Sequence, residues 1–162
     1  SFIEHEVHSK MKGTTVVKND ILLNITGGSI GRCCVVDIEG EMNVNQHVSI
    51  IRTTEKLINY FLNYIIGSDV GQSQVIFNLT GGNREGLTIE GIRNFRITIP
   101  NKKEQQAIVD YLDEQTKEIN VLIQLEQKKI ELLKEYRQSL ISEVVTGKVR
   151  VCKENLVEIV NE

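Results

Sequence analysis

At 162 residues, 40% hydrophobic and 25% charged, the chain has the length of one ordinary domain plus an extension and the composition of a soluble protein, which excludes two full domains. No apolar run approaches the roughly 18 residues that a membrane span requires, so no membrane partner is expected. A formal charge of −3, with 9 Lys/Arg against 10 Asp/Glu before Pro100 and 10 against 12 after it, excludes a strongly basic nucleic-acid surface in either half. Any such binding needs a local patch or a more basic partner, because phosphate neutralisation supplies most nonspecific affinity.

The opening Ser1-Phe2-Ile3-Glu4-His5 has neither an initiator Met nor a basic-then-apolar signal and reads as a cut point. His5 and His8 have a spacing that suits a metal on one helix face, but no HExxH pattern accompanies them, and a solvated pair is expected. Short strands are expected at 14–17, 21–25, 33–36, 48–51 and 95–99 from their β-branched content and polar or glycine boundaries. Between them, residues 55–66 place Leu57, Ile58, Phe61, Leu62 and Ile65 at helical spacing, a stripe suited to covering one face of a sheet. Gly27-Gly28-Ser29-Ile30-Gly31 and Gly81-Gly82-Asn83 mark tight loops that need positive φ or close approach. Cys33 and Cys34 are adjacent and Cys152 is distant, which fits free thiols in a reducing cytoplasm rather than a disulfide framework or zinc site.

Pro100, the only proline, follows Arg96-Ile97-Thr98-Ile99 where a long helical pattern begins. From Lys102 to about Val145 there is neither Gly nor Pro, and Glu, Lys, Gln, Leu and Ile dominate. Such a helix runs about 65 Å at about 1.5 Å per residue. Gly147 supplies a stop. Ile108, Leu112, Ile119, Leu122, Ile123, Ile130, Leu133, Leu140 and Val144 form an apolar ladder interrupted by Glu126 and Arg137. A stripe this long exceeds what a domain of about 100 residues covers, so it calls for a partner helix. The alternative is a helix broken near Thr116, in the polar run Asp113-Glu114-Gln115-Thr116-Lys117, that folds back on its own domain. The expected fold is therefore α+β: a mixed, sheet-containing domain over 1–100, a long helix over 101–146 that pairs as an antiparallel coiled coil, and a tail over 147–162. In the tail, 149–151 could pair as an edge strand and 155–160 could form a last helical turn.

Catalytic signatures are missing where common chemistries need them. An amino-methyltransferase carries Asn or Asp before two prolines and an aromatic, which a chain with one proline cannot contain. The glycine loop is followed by Arg32 rather than Lys-Ser or Lys-Thr, so it is no Walker A cradle, and it lacks the dinucleotide spacing. Pro100 is followed by Asn101, not the Asp of a common nuclease motif. His47 could orient a base, yet no Gly-x-Ser-x-Gly stands beside it, and a turn histidine is the expectation. The Asn-x-Thr sequons at Asn24 and Asn78 carry no meaning without secretion. What remains are loops whose side chains hydrogen-bond bases. Asn24, Thr26, Gly27, Gly28, Ser29 and Arg32 form one, Asn45 and Gln46 a second, and Gly82, Asn83 and Arg84 a third. Asn and Gln pair bidentately with adenine, and Arg with guanine. Each loop alone reads as turn chemistry. Together with an assembly helix they suggest a reader.

Several segments carry a family resemblance. Asn19-Asp20-Ile21-Leu22-Leu23 followed by Gly27-Gly28-Ser29-Ile30-Gly31-Arg32 resembles a Gly-Asp-Ile-Leu strand and its glycine loop, with Asn19 where glycine is usual, and Asn43-Val44-Asn45-Gln46-His47-Val48 resembles the Asn-Gln segment after it. Ile99-Pro100, then Glu104-Gln105-Gln106-x-Ile108-Val109-x-Tyr111-Leu112-Asp113, opens the helix, and Leu140-Ile141-Ser142-Glu143-Val144-Val145-Thr146-Gly147-Lys148-Val149 closes it. The order is similar to one target-recognition domain, partial, with its following helix, from the DNA-specificity subunit of a type I restriction-modification system. One domain and one helix stand where a full subunit has two of each, so a fragment or a half-subunit is expected.

The resemblance implies a non-catalytic, cytoplasmic subunit that reads one half of a split target in double-stranded DNA and scaffolds type I methyltransferase and restriction subunits. It implies no cofactor in this chain, with S-adenosylmethionine bound by the methyltransferase. It also implies that the long helix pairs with a sister helix or, in a half-subunit, with itself. A free-standing dimeric DNA-binding regulator and an enzyme using His47 are the competing readings.

Overall fold

The computed structural model describes residues 5–80 and 86–151. Two compact units divide the chain, Ser1–Leu112 and Asp113–Glu162.

The first unit is organised by alternation. In strand β2 (Ile21–Asn24), Ile21 and Leu23 are fully buried while Leu22 and Asn24 are half-buried on the opposite face, as the two-residue repeat of a pleated strand requires. β2 is the centre of an antiparallel sheet with β3 (Cys33–Val35) on one side and β5 (Val48–Ile51) on the other. Two smaller antiparallel pairs flank it. β1 (Thr15–Val16) joins β4 (Met42–Asn43), and β6 (Leu79–Thr80) joins β7 (Gly86–Leu87). A short helix α1 (His5–Lys10) precedes β1. Against the inner face pack α2 (Asn59–Gly67) and α3 (Asp69–Phe77), so that Ile21, Leu23, Leu62, Ile66, Val75 and Leu87 form one core. Burying each such side chain contributes about 1.5–3 kcal/mol.

The turn into β2 rests on an ion pair. Asn19 adopts φ 73°, a left-handed conformation that Asn tolerates better than most residues, which explains why it can stand in a glycine position. Asp20, 2% exposed, then accepts from Arg52 Nε at 2.8 Å and Nη2 at 3.0 Å and from the Val17 N–H at 2.9 Å. Asp20, by its hydrogen bond and then its charge, pushes the Arg52 guanidinium further up from its ordinary value.

Three local expectations are corrected. Residues 55–66 are not one helix: 55–58 form a turn, Leu57 N–H donating to Thr54 O at 3.0 Å, and the helix starts at Asn59. A second helix, α3, follows at once, with Ser68 Oγ accepting from Gly71 N–H as its N-cap. Residues 95–99 form no strand. Phe95 and Ile97 do pack on the core, but Arg96 N–H donates to the Gln74 side chain at 2.6 Å and Arg96 O accepts from it at 3.1 Å, so a side-chain amide replaces a neighbouring strand. Residues 149–151 are likewise outside any strand, and 155–160 lie outside the described residues.

After α4 (Ile89–Arg93) and Pro100, α5 runs unbroken from Lys102 to Val145, passing straight through Thr116. Asn101 starts it: Asn101 Oδ1 accepts from Glu104 N–H at 3.1 Å, and its Nδ2 donates to the Glu104 carboxylate at 3.3 Å. One turn on, Gln105 is fully buried, its Oε1 accepting from Ile58 N–H at 2.8 Å and its Nε2 donating to Lys56 O and Pro100 O at 2.9 and 2.8 Å. That amide ties the first turn of α5 to the turn before α2. In the second unit, Gly147 at φ 74° ends the helix. Its N–H donates to Val144 O and the Lys148 N–H to Glu143 O, the paired bonds of a Schellman motif. Among the described residues no helix is long and apolar enough to cross a membrane.

Candidate nucleic-acid interface

Antiparallel pairing decides where the loops go. Because Asn24 stands opposite Val48, the loop after β2 and the loop before β5 emerge at the same end of the sheet. The first holds Asn24, Thr26, Gly27, Gly28, Ser29 and Arg32, and the second holds Asn45 and Gln46. Thr26 bridges Gly86, and Leu87 N–H donates to Ile25 O at 2.8 Å, which brings the strand after the third loop to that end. Gly82, Asn83 and Arg84 themselves lie outside the described residues.

The first loop closes on itself. Gly27–Ser29 forms a single 3-10 turn, with Gly27 and Gly31 at φ 76° and 85°. Gly31 N–H donates to Asn24 O and Asn24 N–H to Arg32 O, both at 2.9 Å, and Asn24 Nδ2 donates to Ser29 Oγ at 2.9 Å. A Cβ on Gly31 would lie 2.6 Å from Gln72 Oε1, so the loop also sits tightly against α3. In the second loop Asn45 Oδ1 accepts from His47 N–H at 3.0 Å, an Asx turn. The two loops meet where Thr26 Oγ1 and His47 Nδ1 are 2.6 Å apart.

Asn24 and Ser29 therefore bond each other while Thr26 and Asn45 bond His47, and the candidate side chains differ in what they leave for a ligand. Arg32 is exposed and makes no ion pair among the described residues. It borders a depression of about 490 Å³ on the outer sheet face, with Leu22, Asn24, Cys34, Asn45 and Val48. This hollow has an apolar floor, a guanidinium and amides at its edge, and the residue types that meet base edges and phosphates. Cys33 faces inward, and burial, then the neighbouring Cys34, raises its thiol from 9.0 to about 11. His8 is not simply solvated: its Nδ1 hydrogen-bonds Asn43 Oδ1 and its Nε2 lies 3.9 Å from Glu41. Among the described residues no group of His, Cys, Asp and Glu could hold a metal ion.

The helix ladder falls into two parts. In the first unit Leu112 is half-buried and lines a hollow with Arg32, Tyr64 and Gln72, and Ile108 is 37% exposed. In the second unit Ile119, Leu122, Ile123, Ile130, Leu133 and Leu140 are 42–62% exposed, while Val144 is half-buried. Leu125, Leu132 and Tyr136 are exposed as well, which widens the apolar surface beyond the ladder read from the sequence. Sequence reading also missed the Asp20–Arg52 pair, the Thr26–His47 contact and the Gln105 staple. Asp20 and Gln105 each carried a signal, as polar residues within the motifs at 19–23 and 104–113.

A family model for the type I restriction modification DNA specificity domain matches residues 5–135. The type I restriction enzyme MjaVIII specificity subunit of Methanocaldococcus jannaschii is 26% identical over 156 residues, 93% of this chain and 36% of that protein. A chain of a type I R-M system, solved to explain its complex assembly and conformational transition, has a similar fold, with TM-score 0.69 and 18% identity over 80% of this chain and 31% of the other. The chain thus spans about a third of the length of these relatives. With the match running through the sheet, the loops and most of the long helix, the chain belongs to the type I restriction modification DNA specificity domain family.

Proposed function

We propose that this chain recognises one half of a split double-stranded DNA target as a specificity subunit, whole or partial, of a type I restriction-modification complex. Residues 1–100 form the recognition domain, 101–146 the spacer and 147–162 a tail. The convergence of the loops at 24–32 and 45–46 on one end of the β3–β2–β5 sheet supports this reading most directly. The chain itself performs no catalysis. It works in the cytoplasm, and type I methyltransferase and restriction subunits assemble on it, the former binding S-adenosylmethionine. The near-neutral charge accords with partners that supply much of the phosphate grip.

Ile108, Leu112, Ile119, Leu122, Ile123, Ile130, Leu133, Leu140 and Val144 pair with an antiparallel helix, from a sister segment or from a second copy. Pairing with a second copy would invert two identical domains and give a palindromic split target. Co-expression with a type I methyltransferase subunit, followed by mapping of methylated adenines, tests the reading. Methylation at a two-part motif that appears only with this chain is the expected result. The same sites methylated without it would sink the proposal, and tight sequence-specific binding by the chain alone would favour the free-standing regulator.

A further inference from the structure

His47 lies at the junction of the two loops, and every polar group it carries is engaged there. Its ring Nδ1 lies 2.6 Å from Thr26 Oγ1, and its carbonyl accepts from Ile25 N–H at 2.9 Å. Its N–H donates to Asn45 Oδ1 at 3.0 Å, and its ring Nε2 lies 3.3 Å from Gln46 Nε2. With the Gln46 amide NH2 facing the ring, Nε2 accepts, and Nδ1 then carries the proton given to Thr26 Oγ1. One neutral tautomer satisfies both contacts.

We propose that His47 is a positioning residue that couples the Thr26 loop to the Asn45–Gln46 loop and orients the Gln46 amide, so that the two loops read DNA as one surface. The inference rests on the DNA-recognition reading above. It divides the polar side chains by task. Asn24, Thr26, Ser29 and Asn45 bond within the loops and set their shape, whereas the Arg32 guanidinium and the Gln46 carbonyl oxygen remain for bases and phosphates. Fixing an exposed amide before DNA arrives removes part of the ordering cost that a mobile side chain meets on binding. The benefit falls on discrimination, because a misplaced amide still meets DNA but no longer selects one base edge.

The test uses the full chain with its methyltransferase partner and the variants Thr26→Val, His47→Ala, His47→Asn and the Thr26→Val/His47→Ala double variant. Asn places a polar atom where the histidine Nδ1 sits. The ratio of methylation at the target to that at sites altered by one base is expected to fall about five- to tenfold in Thr26→Val and in His47→Ala, at unchanged melting temperature. The double variant should lose no more than either single one, and His47→Asn should recover most of the loss. Losses that multiply in the double variant would overturn the proposal. In the free wild-type and Thr26→Val chains, the backbone amide resonances of Asn45 and Gln46 report the coupling without DNA. Shifts on Thr26→Val support it, and unmoved resonances reject it. A wild-type chain that directs no methylation defeats the recognition reading, while those resonances still decide whether His47 joins the loops.

Discussion

The first unit and the described part of the second handle apolar residues in opposite ways. Ile21 and Leu23 of β2 are fully buried, with helices α2 and α3 drawn over them, whereas Leu122 and Leu133 of α5 are 62% and 58% exposed. Both segments are rich in branched apolar side chains, yet only one lies in a unit with a core to receive them. Exposed apolar side chains scattered singly need no explanation, but a ladder along one helix face supports the proposed pairing with another helix. Under the proposed pairing, the contrast separates residues whose loss unfolds the chain from residues whose loss isolates it.

The largest expected effect is at the centre of the core. Leu23→Ala should destabilise the chain by about 3–4 kcal/mol in chemical denaturation, and a change under about 1 kcal/mol would show that the sheet does not organise the unit. Next comes the chemistry of burial. A thiol raised from 9.0 to about 11 holds about a hundredfold less thiolate at neutral pH than an unperturbed one. Raising the pKa keeps Cys33 protonated, so its alkylation should stay slow at pH 7 and accelerate as pH climbs toward 11, followed by mass spectrometry of the modified peptide. Rapid labelling at pH 7 would contradict the packing of β3.

Gln105→Ala should cost about 2 kcal/mol, because Ile58 N–H and two carbonyls lose a buried partner; urea unfolding measures it. Least affected is the helix surface. Ile123→Ala should change the stability of the monomeric chain by under about 0.5 kcal/mol, yet weaken self-association about tenfold or more if copies pair, as read by sedimentation equilibrium. A destabilisation as large as that of Leu23→Ala, at concentrations where the chain is monomeric, would erase the distinction between the two regions.

How much of this is legible without coordinates depends on where the hydrogen bonds go. The long helix and the strand at 48–51 follow from composition and periodicity, which are local properties. The segment 95–99 misleads because Phe95 and Ile97 alternate inward as in a strand, while the bonds that make a strand come instead from Gln74, 22 residues away along the chain. α3 is hidden by Gly71, which reads as a breaker; a Cβ there would come within 2.1 Å of Ile65 O, so glycine is what lets α2 and α3 meet. Among the loops, residue types suggest base contacts at Asn24 and Asn45, but they cannot tell a group that faces a ligand from one bonded to its neighbour. That difference depends on long-range pairing, as in the 21-residue separation of Thr26 and His47.

The Gln105 staple has a consequence in time. It joins residues 47 and 49 positions apart, so the first turn of α5 can form early as local helix but is held only once the turn at 55–58 has arrived. Amides beside Gln105 should then exchange with solvent only when the whole first unit opens. Those of the exposed stretch from Leu122 to Leu140, in the second unit, should exchange through local fraying, orders of magnitude sooner. One continuous helix would thus show two lifetimes, with the change falling near the boundary between the units.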